Sequence, residues 1–70
     1  MSRGQHMPAK IAKLTEKAEI AQADYELCLE VYELCSGAEK IRVVPHLTHF
    51  QMRRDETLAT LSLAIRAHKN

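Results

Sequence analysis

The fold of this chain is decided by one stretch, residues 8–36, which reads PAKIAKLTEKAEIAQADYELCLEVYELCS. Pro8 suits the first position of a helix, Gly37 suits the residue just past its end, and no helix breaker lies between them. Small or apolar residues recur here at alternating spacings of three and four positions, namely Ile11, Leu14, Ala18, Ala21, Tyr25, Cys28, Tyr32 and Cys35. This heptad pattern, called the first stripe below, is typical of a helix packed lengthwise against another helix. We therefore predict an all-α fold with a long helix 1 over residues 8–36.

A second apolar stripe runs beside the first on helix 1. This second stripe consists of Ile20, Leu27, Val31 and Leu34. It lies about 110° around the helix from the first stripe, so one neighbouring helix cannot cover both. We expect helix 2 to cover the first stripe and a second copy of the chain to cover the second stripe, which predicts a homodimeric helical bundle.

A shorter helix 2 is predicted over residues 48–68. Thr48 and Gln51 fit a capping box, and basic residues close the helix at the negative end of its dipole. Residues 37–47 are predicted to connect the helices, and a short middle helix could form there before Pro45. The two helices are expected to pack antiparallel as a hairpin. The side chains predicted to hold this hairpin together are Ile11, Leu14, Tyr25, Cys28, Tyr32, Phe50, Leu58, Leu61 and Ile65.

The net charge of +1 hides a segregation of charge along the chain. Helix 1 carries three lysines against six acidic residues, whereas residues 37–70 carry six basic residues against three acidic ones. The lysines of helix 1 also crowd the positive end of its dipole and its glutamates the negative end, which is unfavourable. An antiparallel helix 2 is expected to compensate by bringing Arg53 and Arg54 near Glu30 and Glu33. The charged residues expected to contact a partner are Lys10, Lys13, Lys17, Glu26, Glu30, Glu33, Arg53, Arg54 and Arg66.

Two cysteines and two histidines raise the question of a metal or catalytic site. Cys28 and Cys35 lie about 10.5 Å apart along one helix, beyond the reach of a disulfide, and are expected to pack as reduced apolar side chains. Together with His46 and His49 they do not match the closer cysteine spacing of zinc fingers. The sequence contains no phosphate-binding loop and no nucleophile motif. It therefore predicts a protein without metal or cofactor that is not an enzyme.

The length and composition limit the classes of protein to which this chain can belong. With 70 residues, of which 46% are apolar, the chain forms one small domain whose core is marginal unless a second subunit adds to it. Residues 1–7 are predicted to be a flexible leader. No apolar stretch is long enough to span a membrane and no apolar signal core precedes helix 1, so we expect a cytoplasmic location without membrane contact.

Function is inferred from the surfaces that such a hairpin offers. Helical faces recognise other proteins by packing against their helices. The leading hypothesis is a regulatory adaptor or inhibitor that sequesters a transcription regulator or enzyme complex, by analogy of size and build with small phage inhibitors and bacterial antiactivators. One alternative is a DNA- or RNA-binding regulator that uses Arg53, Arg54 and the basic end of the hairpin. Another is a secretion-type chaperone or assembly subunit.

Overall fold

The computed structural model describes residues 8–69, which form two helices. Helix α1 spans Ala9–Leu34 and helix α2 spans Ala38–Lys69. The start of α1 and the end of α2 lie side by side, because Lys10 and Ile11 line one groove with Ala64 and Ala67. The prediction of an all-α antiparallel hairpin is thereby confirmed. The predicted leader lies outside the described residues.

Helix α1 begins and ends without help from side chains. Pro8 is its N-cap residue, and the Ala12 N–H donates to the Pro8 carbonyl at 3.0 Å. At the other end the Cys35 N–H donates to the carbonyls of Val31 and Tyr32 at 3.1 and 3.2 Å. Cys35 itself has an extended backbone, with ψ 164°, so the helix stops at this residue.

The turn between the helices depends on Gly37. Its φ is +60°, in the left-handed region that favours glycine. A Cβ placed there would have no heavy atom within 4 Å, so the requirement for glycine comes from the backbone alone. Directly after this turn, the N–H groups of Glu39 and Lys40 donate to the carbonyls of Ser36 and Gly37, each at 3.2 Å. These hydrogen bonds start α2 within two residues of the turn.

Helix α2 begins ten residues earlier than predicted, so the expected connection over residues 37–47 is wrong. Pro45 lies inside the helix instead of before it. A proline in a helix removes the hydrogen bond to the carbonyl four residues back, here that of Ile41, and costs about 3 kcal/mol. Both Pro45 and Ile41 are exposed, so water can bond to this carbonyl. In return, Val43 and Leu47 become half-buried against α1, which an irregular connection would not achieve.

The two helices form a single layer. The molecule measures 56 × 22 × 12 Å, and its radius of gyration is 16.3 Å. A compact chain of 70 residues has a radius of gyration of about 11 Å. Within residues 8–69 four side chains are buried, all of them on α1: Ile11, Ala18, Ala21 and Cys28. Burial is therefore confined to the line of contact between the helices.

Replacing Gly37 with alanine should destabilise the hairpin. The added Cβ meets no neighbour, but an alanine held at φ +60° costs about 1 kcal/mol. The free energy of unfolding, measured by urea titration with circular dichroism at one protein concentration, should fall by about this amount. Gly37→Asn should lose less, because asparagine tolerates the left-handed region better. Equal stability of Gly37→Ala and the parent chain would show that the turn does not need this conformation.

Candidate interaction surfaces

The helices meet along a heptad seam. The half-buried residues of α2 recur at alternating spacings of three and four positions and face the first stripe of α1. These α2 seam residues are Lys40, Val43, Leu47, Phe50, Arg54, Thr57, Leu61 and Ala64. Sequence reasoning missed this repeat because lysine, arginine and threonine interrupt its apolar pattern. The regular spacing from Val43 to Ala64 was the signal that could have revealed it.

Two cation–π contacts cross the seam. The Arg54 guanidinium carbon lies 4.3 Å from the centre of the Tyr25 ring, and the Lys40 Nζ lies 5.0 Å from the centre of the Tyr32 ring. Arg54 also donates from Nε and Nη2 to Asp55 Oδ1 at 3.1 and 2.9 Å. The hydrogen bond to Asp55 raises the pKa of Arg54. The seam thus accommodates two cations because ring faces and a carboxylate replace part of their hydration.

The expected compensation of Glu30 and Glu33 by Arg53 and Arg54 is wrong. Arg54 stacks on Tyr25, and Arg53 lines a groove with residues of the middle of α1. The ion pair found in the described part of the chain is Arg54–Asp55, so neither glutamate has one there. The physical reason is the early start of α2. Because α2 begins at Ala38, the residues opposite the two glutamates come from its first turns. Arg53 and Arg54 follow later in the helix and lie beside the middle of α1.

The side chains predicted to hold the hairpin together differ in burial. Ile11 and Cys28 are buried, whereas Leu58 and Ile65 are exposed by 42% and 37%. Leu58 and Ile65 each follow a seam residue of α2 by one position, so they lie beside the contact between the helices and do not form it. The remaining members of the predicted set are half-buried at the seam: Leu14, Tyr25, Tyr32, Phe50 and Leu61.

The second stripe of α1 is exposed over its whole length. The exposed fraction of its side chains ranges from 45% for Val31 to 88% for Leu34. Two grooves separate this stripe from α2. Leu27 and Val31 line the first groove together with Phe50, and Ile20 lines the second together with Arg53 and Thr57. Among the described residues none covers these four apolar side chains, and Asp24 interrupts the stripe between Ile20 and Leu27.

Three further exposed apolar side chains lie on α2. Ile41, Met52 and Leu63 follow each other at intervals of eleven residues, which correspond to three turns of a helix. All three are exposed by more than half, and none belongs to the seam. We call this set the outer face of α2. Its three side chains are about 16.5 Å apart along the helix axis, so they are separate exposed positions on α2, away from the second stripe of α1.

The two ends of the hairpin carry opposite charge. The open end, residues 9–17 and 61–69, holds five basic residues and one glutamate, a net charge of +4. The closed end, residues 26–34 and 38–46, holds four glutamates and two basic residues, a net charge of −2. The fold brings these segments together because the helices run antiparallel. The molecule therefore has an electrostatic dipole along its long axis.

The described residues show little that could support metal or redox chemistry. Within residues 8–69 no three side chains of histidine, cysteine, aspartate or glutamate are placed to hold a metal ion. Cys28 is buried and Cys35 half-buried, and both are free thiols. No helix of this part of the chain is long and apolar enough to cross a membrane.

Comparison with known proteins found no matching family model, curated protein or solved structure. The features of the chain that bear on its function are the surfaces of the hairpin. Those surfaces are the second stripe, the outer face of α2 and the two charged ends.

The contact between Tyr25 and Arg54 should make the effects of two substitutions on the free energy of unfolding non-additive. In a double-mutant cycle with Tyr25→Leu and Arg54→Met, the double variant should lose less stability than the two single variants together. Arg53→Met is the matched control, because Arg53 is exposed and does not stack on Tyr25. Its effect should add to that of Tyr25→Leu. Urea unfolding at fixed protein concentration measures both cycles, and additive behaviour in both would contradict a cation–π contact at the seam.

Proposed function

We propose that this chain is a small protein-binding module that self-associates and sequesters a protein partner, as an adaptor or an antiactivator-like inhibitor does. The observation that supports this proposal is the exposure of apolar side chains. Within residues 8–69, ten large apolar side chains are exposed by more than a third, whereas four residues are buried. Soluble monomers seldom expose contiguous apolar surface of this kind unless it is an interaction site.

The exposed area supports the same proposal. The chain exposes 5710 Å². A compact monomer of 8.0 kDa exposes about 4,450 Å². The elongated shape of the hairpin accounts for part of this difference, and its exposed apolar side chains supply the surface that a partner could cover. A third or fourth helix packed on the hairpin would bring its exposed area into the usual range.

The second stripe and the outer face of α2 suit two different roles. The second stripe is long, borders grooves on α2 and suits a helix laid along the hairpin, so we assign it to self-association. The outer face of α2 has three separate anchors one above the other. Exposed apolar side chains are what partner helices and grooves contact, and because the second stripe is given to self-association we assign these three to the sequestered partner. The proposal includes no enzymatic activity and places the module in the cytoplasm, where its two thiols would stay reduced.

Nucleic acid is the second candidate partner, because the open end of the hairpin carries a net charge of +4. Two observations speak against it. Arg54, one of the two arginines expected to contact nucleic acid, is stacked on Tyr25 and bonded to Asp55. The closed end of the same narrow molecule is acidic and would repel phosphate groups.

Self-association through the second stripe should depend on Leu27. The parent chain should scatter light as a dimer of twice 8.0 kDa at micromolar concentration. Leu27→Asp should give a helical monomer, because it places a charge in the centre of an apolar contact. The matched control is Leu63→Asp on the outer face of α2, which is equally exposed and should leave the dimer intact. A parent chain that stays monomeric at high concentration would contradict self-association.

The sequestered partner should be lost when the outer face of α2 is charged. Tagged parent chain should retain a specific protein from the lysate of its host after nuclease treatment, and Met52→Glu with Leu63→Glu should release it. Ser62→Glu, an exposed polar position on the same helix, is the control that should still retain the partner. Material that disappears with nuclease would identify nucleic acid as the ligand. Retention by all variants would show that another surface binds the partner.

A further inference from the structure

We infer that the occupant of the second stripe is a second copy of this chain, docked antiparallel with α1 against α1, so that Ile20 of each copy lies opposite Leu27 of the other. The inference rests on the proposed self-association and adds its orientation and register. Three features of the structure support it: the charge of the two ends, the residues that continue the second stripe, and the exposure of the stripe itself.

The charge of the ends favours an antiparallel dimer. In that arrangement the open end of one copy, with its net charge of +4, lies beside the closed end of the other, with its net charge of −2. A parallel dimer would instead place two open ends of +4 together. Screening at physiological salt acts over about 8 Å, whereas the molecule is 56 Å long. Each end therefore interacts mainly with the end of the other copy that lies beside it, and the two arrangements differ in electrostatic energy. The chain is thus complementary in charge to its own copy.

The lysines that continue the second stripe favour the register in which Ile20 lies opposite Leu27. Lys13 and Lys17 extend the stripe toward the start of α1 with the same alternating spacing. When Ile20 is opposite Leu27 in an antiparallel pair, Lys17 is opposite Glu30 of the other copy, because opposed residue numbers add to the same sum. Glu30 is exposed and has no ion pair among the described residues. The pair with Lys17 of the other copy would place a positive charge beside Glu30, to which α2 supplies none.

Lysines at the end of an apolar stripe fit this geometry. In the same register Lys13 lies opposite Leu34, the most exposed apolar side chain of the stripe, at 88%. A lysine can lay its methylene groups on a leucine while its ammonium group stays in water. Two-fold symmetry repeats each contact, so the Lys17–Glu30 and Lys13–Leu34 contacts occur twice in the dimer.

In this register Val31 lies opposite Glu16 of the other copy, which is unfavourable for an apolar side chain. Asp24 is a second unfavourable position. It lies next to the two-fold axis and meets the Asp24 of the other copy, so that two like charges approach each other. We therefore expect Asp24→Asn to tighten the dimer. A weaker dimer after this substitution would overturn the register.

The exposed side chains of the second stripe supply the apolar part of this interface. They are exposed by 45 to 88% in one copy of the chain. The dimer would be a four-helix bundle with the two α1 helices in contact across the axis. The outer face of α2 would remain exposed in both copies and available for the other partner.

Charge reversal tests the orientation. Lys17→Glu and Glu30→Lys should each raise the dissociation constant of the dimer about tenfold at low salt, because each turns two attractive contacts into repulsive ones. Combining both changes in one chain should restore the dimer, and an equimolar mixture of the two single variants should form the heterodimer in preference to either homodimer. Glu26→Lys is the control, since Glu26 lines the groove with Leu58 away from the second stripe. Circular dichroism checks that every variant remains helical.

Different outcomes of these experiments would contradict the antiparallel orientation and the proposed self-association. Dimers that resist both reversals, or a double variant that fails to recover, would overturn the antiparallel register while self-association stands. A heterodimer of Lys17→Glu with the parent chain that exceeds both homodimers would show a parallel dimer instead. A parent chain that remains monomeric would overturn self-association itself and this inference with it. Analytical ultracentrifugation at several concentrations distinguishes all of these results.

Discussion

The structure depends on the contact between one helix and its single neighbour in the chain. Two helices side by side form one layer, and a layer can bury only the side chains along its line of contact. Here that line buries four residues, all on α1, two of which are alanines. The small side chains let the helices approach closely but bury little apolar area. Further apolar side chains, such as Leu14 and Phe50, are half-buried at this line, and those away from it form the exposed surfaces.

The seam also selects one alignment of the helices. A heptad seam of small side chains looks alike after a shift of seven residues, so by itself it specifies the alignment of α2 on α1 only weakly. The tyrosines at positions 25 and 32 and the cations at positions 54 and 40 remove this ambiguity, because a shifted helix would bury a cation without a ring beneath it. Polar residues within heptad seams commonly act in this way, fixing the alignment at a cost in stability. The interruption of the apolar pattern is therefore part of how the hairpin is specified.

The distribution of charge follows from the same topology. Within α1 the lysines and glutamates are arranged against the helix dipole, and α2 does not compensate them. Folding back the chain adds the basic end of α2 to the basic end of α1 and so strengthens the separation. An arrangement that is unfavourable within one molecule becomes favourable between two molecules that run in opposite directions. This links the weak burial of the single layer with the proposed association of two copies.

The sequence by itself determined the helical class, the boundaries of α1 to within two residues, the first stripe and the exposure of the second. These properties are local, because a heptad spacing and a left-handed glycine act within a few residues. Only the tertiary structure decided that α2 runs through Pro45, that its seam includes Arg54, and that Arg53 lies far from Glu30. Whether a helix absorbs a proline depends on one lost hydrogen bond weighed against contacts with a distant segment. That balance is not local: the spacing of Val43 and Leu47 fits a continued helix, but only the contacts with α1 decide whether Pro45 is tolerated within it.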